Sequence, residues 1–173
     1  AYYAKYLGYS DQRMAEALGV EPDRFIREKG AAYDALLGSG AILFPGAADC
    51  IARLALAAGP IAVASGAFRE EIEHILDGAG LRAHFQTIVG ARDVAHSKPH
   101  PAPYLEAASR LGVDTHECVA IEDSMWGLDA ARAAGMKTIA VTHTYPRQQL
   151  TADVIVDRLE EITAAVIERL VRS

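Results

Sequence analysis

The 173-residue sequence lacks the features that mark membrane proteins and nucleic-acid-binding proteins. No apolar run approaches the roughly 18 residues that a bilayer-spanning helix needs, and the charged start and apolar centre typical of a signal peptide are not seen. The Lys and Arg residues are scattered and the formal net charge is -6, which argues against a surface for nucleic acid. We therefore expect neither a membrane nor a nucleic acid as a partner.

Cysteine is also scarce, with Cys50 and Cys118 as the two examples. One falls in a predicted helix and the other in a predicted buried strand, so we expect reduced structural thiols in a cytoplasmic protein. Repeats and low-complexity segments are absent too. The length, with 51% hydrophobic residues, suits one compact domain or one domain with a small appendage.

Residues 1–40 have a helical pattern and no strand signal. In the segment SDQRMAEALGV, Ser10 can cap a helix that stops at Gly19. The segment EPDRFIREKGAAYDALLGSG predicts a second helix, with Pro22 near its first turn and glycines at its end. We therefore expect a small helical unit at this end of the chain.

From residue 41 the pattern changes to short apolar strands that alternate with amphipathic helices. Helices are predicted at 47–58, 69–79, 101–111, 126–134 and 158–170, and strands in PIAVASG, FQTIVG, CVAIED, KTIAVTH and DVIVD. This alternation predicts an α/β fold with a mainly parallel sheet. Because such sheets bind ligands at the carboxyl ends of their strands, the informative residues are those that follow each strand.

The segment SGAFRE directly follows the predicted strand IAVA. Ser65 offers a hydroxyl, and Gly66 lets backbone N–H groups approach a ligand closely at the start of a helix. This combination is a ready site for an anion such as phosphate. The alternative, in which Ser65 only caps the next helix, is equally compatible with the sequence.

Lys98 lies in the segment SKPHPAPY, which follows the predicted strand FQTIVG. Pro99 and Pro101 restrict the loop and start the next helix, so the lysine is held rigidly. A fixed positive charge suits the neutralisation of a phosphoryl group and of nearby carboxylates. The alternative is a solvated surface lysine, which would need no such support.

Two adjacent acids, Glu122 and Asp123, end the predicted strand CVAIED. A hard cation such as Mg²⁺ takes oxygen ligands and keeps several waters, so one or two carboxylates together with substrate oxygens suffice. We therefore expect a Mg²⁺ site at Asp123 and Glu122. The alternative is that Asp123 or Ser124 only caps the helix that follows.

Weaker candidates lie on the loops at the same edge of the predicted sheet. His96, His100 and His143 have spacings that do not suggest a zinc site. Asp93 is expected to cap or order its loop.

The order of these segments resembles the haloacid dehalogenase superfamily of phosphotransferases, in particular its beta-phosphoglucomutase-like branch. VASGA looks like the second motif of that family, SKPHPAPY like the third and AIEDSMWGLDAARAAGM like the fourth. The resemblance runs over most of residues 41–158. It implies a Rossmann-like three-layer core with a parallel sheet over residues 41–173, and a partial helical cap over residues 1–40 that covers the site and selects the substrate.

The resemblance also implies roles for the candidate residues. Ser65, with Gly66, would hold the transferring phosphoryl group, and Lys98 would offset its charge. Asp123 would bind Mg²⁺, with Glu122 as a second, supporting acid. The implied activity is that of a Mg²⁺-dependent phosphatase-type hydrolase of small phosphorylated metabolites that works through an aspartyl-phosphate. A phosphosugar mutase would use the same core residues, and that alternative stays open.

One departure from the family is serious. Its first motif is a strand that ends in Asp-x-Asp and carries the nucleophile, and no Asp-x-Asp occurs in this sequence. In the family that strand is central, between the strands that match IAVA and CVAIE, so two strand edges would be left unpaired. We expect either a fragment of a longer protein, or a strand supplied by another chain, or a truncated natural protein. The last would be non-catalytic and could form a homo-oligomer through the exposed strand edges.

Overall fold

A computed structural model describes residues 11–37 and 43–173 of the protein. Within these residues the chain forms seven α-helices and five short strands. In chain order they are α1 (Asp11–Leu18), α2 (Pro22–Leu37), α3 (Ala47–Ala57), β1 (Ile61–Ala64), α4 (Arg69–Gly78), β2 (Phe85–Val89), α5 (Ala102–Leu111), β3 (Val119–Glu122), α6 (Met125–Ala133), β4 (Lys137–Val141), β5 (Val154–Val156) and α7 (Ala164–Val171).

The strands pair in parallel and confirm the predicted α/β fold. They form a two-stranded sheet with the order β1-β2 and a three-stranded sheet with the order β3-β4-β5. Among the described strands, β1 and β3 each have one neighbour and do not pair with each other. A cavity of about 460 Å³ is lined by residues of both, among them Ala62 and Ala64 of β1 and Ala120 and Ile121 of β3. This is the position at which the resemblance places a further strand.

Helices cover both faces of the three-stranded sheet. On one face α3 and α7 pack against β4 and β5 through a cluster of apolar side chains, namely Cys50, Leu54, Ile139, Val141, Val156 and Leu170. On the other face α5 and α6 pack near β3 through Tyr104, Ala108, Ala120, Ala130 and Ala131. The register of β3 and β4 pairs Ala120 with Thr138 and Ile121 with Ile139, so the two clusters lie on opposite sides.

The two helices at the beginning of the described chain agree with the predicted helical unit. Pro22 is the first residue of α2, where its missing N–H costs no helical hydrogen bond. Lys29 of α2 donates to both carboxylate oxygens of Asp11 in α1, at 2.7 and 2.8 Å. The predicted cap at Ser10 and the predicted domain boundary between residues 40 and 41 lie outside the described residues.

The predicted helix over 158–170 is wrong as a single element. A 3₁₀ turn covers Leu159–Glu161, and α7 begins only at Ala164. The break arises because Ile162 is fully buried and Thr163 restarts the helix, its hydroxyl accepting a hydrogen bond from the N–H of Val166. The other core helices begin and end within one residue of their predicted positions. No helix of the described ranges is both long and apolar enough to cross a membrane.

The buried centre of β4 makes a testable contribution to stability. Ile139 has no exposed surface, so Ile139→Ala should leave a cavity and lower the free energy of unfolding by about 2–5 kcal/mol. Leu56 is 88% exposed, so Leu56→Ala should change it by less than about 0.5 kcal/mol. Urea denaturation of both variants measures the difference. Equal effects would contradict the packing described for β4.

Candidate functional site

The carboxyl ends of the strands open into one cavity of about 1020 Å³. Its lining contains all five residues predicted from sequence to form the site, namely Ser65, Gly66, Lys98, Glu122 and Asp123. Helices α1 and α2 contribute Asp11, Phe25 and Lys29 to the same cavity. The parallel sheet therefore brings together side chains that are up to 58 residues apart in the sequence.

Ser65 follows β1 and does not cap the next helix. The N-cap of α4 is Phe68, whose N–H donates to the Glu71 carboxylate at 2.8 Å. The Ser65 hydroxyl instead accepts from the N–H of Ala67 at 3.1 Å. The structure therefore contradicts the alternative in which Ser65 only caps the next helix. The turn at 65–67 places the Ser65 hydroxyl and Gly66 at the edge of the cavity. The N–H groups of Ser65 and Ala67 already donate to protein oxygens, so the hydroxyl and the Gly66 N–H are the groups suitable for an anion.

Lys98 is not a solvated surface lysine, because its side chain is only 15% exposed. Its ammonium donates to the carbonyl oxygen of Ala64 at 2.9 Å and to the carboxylate of Glu122. It also lies 4.8 Å from the centre of the Tyr104 ring. The hydrogen bond to Ala64 places the Lys98 ammonium beside the last residue of β1, which directly precedes Ser65. The ammonium of Lys98 and the hydroxyl of Ser65 therefore both lie at the end of β1.

Glu122 is buried and fully engaged by protein groups. One carboxylate oxygen accepts from Lys98 and from the hydroxyl of Tyr104, and the other accepts from the Ser124 hydroxyl at 3.0 Å. Burial would raise the pKa of this carboxyl, but the Lys98 charge and these hydrogen bonds outweigh burial and lower it. The carboxylate lies so close to Gly127 that an added Cβ would be 2.0 Å from its Cδ. Both carboxylate oxygens already accept from protein donors, and the role of Glu122 as a second, supporting metal ligand stays a prediction.

Asp123 has different surroundings from its neighbour. Its carboxylate lines the cavity and accepts a hydrogen bond from the hydroxyl of Thr144. Ser124, the next residue, is the N-cap of α6 and accepts from the N–H of Gly127 at 3.0 Å. Asp123 is therefore free of the capping role. A carboxylate at the wall of an open cavity fits Mg²⁺, which keeps waters and needs few protein ligands.

Two residues of the site were not assigned a role from sequence. Tyr104 lies in the SKPHPAPY segment, and its buried hydroxyl needs a partner, which Glu122 supplies. Burial and the negative charge of Glu122 raise the pKa of this phenol. Thr144 belongs to the group of residues after β4 that the topology marks as informative, but its partner Asp123 is 21 positions away. A single sequence does not show that Thr144 and Asp123 come into contact in the fold.

The sequence matches a known family. A family model described as haloacid dehalogenase-like hydrolase matches residues 3–135. The chain belongs to this family. The match extends from α1 to the end of α6 and includes all five candidate site residues.

Several curated relatives are phosphatases by name, and two of them serve as examples. The chain is 31% identical to phosphoglycolate phosphatase of Pectobacterium atrosepticum, over 87% of this chain and 68% of that protein. It is 37% identical to hexitol phosphatase B of Escherichia coli, over 70% of this chain. The chain covers 56% of the length of the latter.

Solved structures show the same fold. The crystal structure of CbbY from Rhodobacter sphaeroides in complex with phosphate superposes with a TM-score of 0.77 at 30% identity, over 88% of this chain and 74% of that one. A beta-phosphoglucomutase from Clostridium difficile superposes with a TM-score of 0.82 at 23% identity, over 95% of this chain and 78% of that one. Both superpositions show that the chain has the fold of these structures.

The buried pair of Lys98 and Glu122 predicts a pH-dependent effect on stability. Lys98→Met leaves a buried carboxylate without its cation, which should cost about 3–5 kcal/mol of unfolding free energy near pH 7. In the wild type the folded-state pKa of Glu122 lies below its ordinary value, so its contribution is present above the unfolded pKa and is lost as pH falls through the folded pKa. In the variant burial and the hydrogen bonds from Tyr104 and Ser124 remain but the Lys98 charge is gone, so this pKa is higher than in the wild type. The cost should therefore shrink as the pH is lowered to about 5 and below.

Urea denaturation of both proteins at several pH values measures this effect. The double variant Lys98→Met with Glu122→Gln has no unpaired charge and is the control, so its stability relative to the wild type should depend less on pH over that range. An equal cost of Lys98→Met at all pH values would contradict the pairing.

Proposed function

We propose that the protein provides most of the active site of a Mg²⁺-dependent phosphatase-type hydrolase of small phosphorylated metabolites. The observation that carries this proposal is the single cavity that joins the Ser65 turn, Lys98 and Asp123. Phosphoryl transfer depends mainly on positioning and on neutralising charge. The Ser65 hydroxyl and the adjacent backbone can position the phosphoryl group. Lys98 and a metal bound to Asp123 can neutralise its charge.

Each residue has a role that follows from its contacts. The Ser65 hydroxyl and the N–H of Gly66 hold the phosphoryl oxygens, and Lys98 neutralises their charge. Glu122 accepts from Lys98 and holds its ammonium at the end of β1, and Tyr104 fixes Glu122. Asp123 is the metal ligand, oriented by Thr144. When bound, Mg²⁺ would add positive charge beside the phosphoryl group.

The nucleophile of the proposed reaction is an aspartate that must come from outside these 173 residues. No Asp-x-Asp occurs in the sequence, and the cavity of about 460 Å³ between β1 and β3 offers the place for a strand that carries one. A strand there would pair with both unpaired edges and end at the site cavity. The first aspartate would attack phosphorus and form an aspartyl-phosphate as the bond to the substrate's ester oxygen breaks, and the second would protonate that leaving oxygen. The second aspartate would then take a proton from the water that hydrolyses the aspartyl-phosphate to free phosphate.

The substrates proposed are small phosphorylated sugars and acids. Hexitol phosphatase B and phosphoglycolate phosphatase, two relatives, are named for such compounds. Helices α1 and α2 place Asp11, Phe25 and Lys29 in the cavity wall, where they would contact the part of a substrate that is not transferred. A beta-phosphoglucomutase-type mutase would use the same core residues.

A second candidate is a non-catalytic protein that keeps a phosphate or cation site and associates through its sheet edges. The observation that favours it is the unpaired edge of β3, where Ile121 is 37% exposed. Unpaired strand edges are templates for association with another chain. In this case a second copy would take the place of the missing strand.

Intact mass and turnover together distinguish these functions. If the purified protein has the mass of these 173 residues alone, we expect no turnover of a panel of sugar phosphates, because the nucleophile is absent. Clear Mg²⁺-dependent turnover at that mass would rule out the non-catalytic protein and the need for Asp-x-Asp. If the mass is larger, we expect Mg²⁺-dependent turnover that chelation with EDTA abolishes.

If the purified protein hydrolyses sugar phosphates, single substitutions test the roles of the site residues. Asp123→Asn and Ser65→Ala should each lower kcat/KM by about 10²–10³-fold, since each removes a group aimed at the reacting charge. Asp129→Asn is the matched control, because Asp129 is about half exposed and pairs only with Arg132 among the contacts seen. Comparable losses in all three variants would contradict the assignment of the site.

A further inference from the structure

Asp93 lies at the centre of a charged cluster outside the site cavity. This cluster, called here the Asp93 clamp, consists of Asp93, Arg69 of α4 and Arg110 of α5. Each guanidinium lies 2.9 Å from the same carboxylate oxygen of Asp93. The other oxygen accepts from the N–H of Gly90 at 2.7 Å. None of the three clamp residues lines the site cavity.

The clamp also fastens the edge strand β2. Both arginines donate to the carbonyl oxygen of Ile88, at 2.7 Å from Arg69 and 3.1 Å from Arg110. Burial would raise the pKa of Asp93, but hydrogen bonds from Gly90 and both arginines lower it to about 2. The carboxylate is therefore ionised at any pH at which the protein would be assayed. Charge-assisted hydrogen bonds of this kind are stronger than neutral ones.

The loop that begins at Gly90 is attached to the Ser65 turn. The N–H of Ser65 donates to the carbonyl of Val89 at 2.9 Å, and the N–H of Ala91 donates to the carbonyl of Ala67 at 2.8 Å. The contact at Gly90 is so close that an added Cβ would be 2.9 Å from the backbone nitrogen of Arg69. The loop that ends in Lys98 thus starts in direct contact with the turn that holds Ser65.

We propose that Asp93 is a positioning residue. Through Arg69 and Arg110 it holds the Lys98 loop against the Ser65 turn, and so sets the gap between hydroxyl and ammonium in which a phosphate group binds. The binding part of this inference rests on the proposed function, whereas the attachment of the loop does not. Asp93 itself touches no substrate, because it lies outside the cavity.

Asp93→Asn tests the inference with little change in the shape of the side chain. The carboxylate uses one oxygen for the two arginines and the other mainly for the N–H of Gly90. An amide has one acceptor oxygen and one NH₂ group, so it cannot serve both sides. In Asp93→Asn the NH₂ group must point either at the arginines or at the N–H of Gly90, and the hydrogen bond on that side is lost. The attachment of the loop should therefore weaken while the apolar core stays intact.

The experiment compares the wild type with Asp93→Asn in two measurements. Amide hydrogen exchange at Ala91, followed by NMR, measures how firmly the loop is attached. Calorimetric titration with inorganic phosphate in the presence of Mg²⁺ measures how tightly phosphate binds in the gap between the Ser65 hydroxyl and the Lys98 ammonium. We expect exchange at Ala91 to be about tenfold faster or more, and phosphate affinity to be about tenfold weaker or more, as for loss of a charge-assisted hydrogen bond. Exchange at Ile139, in the buried centre of β4, should stay unchanged.

Asp129→Asn is the matched control, since it changes an aspartate that pairs with an arginine on the exposed side of α6. It should leave both measurements at wild-type values. If Asp93→Asn fails to fold, Arg110→Gln keeps Arg69 in place and should give the same two changes at smaller size.

Unchanged exchange at Ala91 would overturn the inference whatever happens to phosphate. Faster exchange with unchanged phosphate affinity would overturn the positioning role as well. If the wild type binds no phosphate, the proposed function fails, and the attachment of the loop is then upheld or overturned by the exchange rates alone.

Discussion

The buried contact between Lys98 and Glu122 is the interaction on which the rest of the site depends. It joins the loop after β2 to the end of β3, and the Lys98 bond to the Ala64 carbonyl extends it to the end of β1. A buried ion pair contributes little net stability when compared with apolar side chains, but it is costly to break. Here its main effect is geometric, because three separate chain segments share one charged contact at the edge of the sheets.

Other features of the site follow from this contact. Glu122 can accept Lys98 only because Gly127 has no Cβ, and Ser124 both caps α6 and donates to Glu122. The adjacent acids are divided between two tasks, since Glu122 faces the lysine and Asp123 faces the cavity. A parallel sheet makes this division possible because neighbouring residues at a strand end point in different directions.

Much of this arrangement could be predicted from the sequence. Five strands, the core helices up to α6 and the five residues that converge on the cavity all follow from alternating apolar segments and from the rule that ligands bind at carboxyl ends of strands. The break at Thr163 could not be predicted, because it depends on the burial of Ile162 in a tertiary cluster. The hydroxyl partners of Glu122, on Tyr104 and Ser124, could not be predicted either, since adjacent acids look alike in a sequence and differ only in what surrounds them.

The central claim is that Ser65, Lys98 and Asp123 surround one phosphoryl site. A crystal structure of the protein with Mg²⁺ and inorganic phosphate tests it most directly. We expect phosphate oxygens within hydrogen-bonding distance of the Ser65 hydroxyl and the Lys98 ammonium, the metal on Asp123, and Glu122 still paired with Lys98. Phosphate bound away from the 65–67 turn, or a metal held by Glu122 with Lys98 displaced, would contradict it.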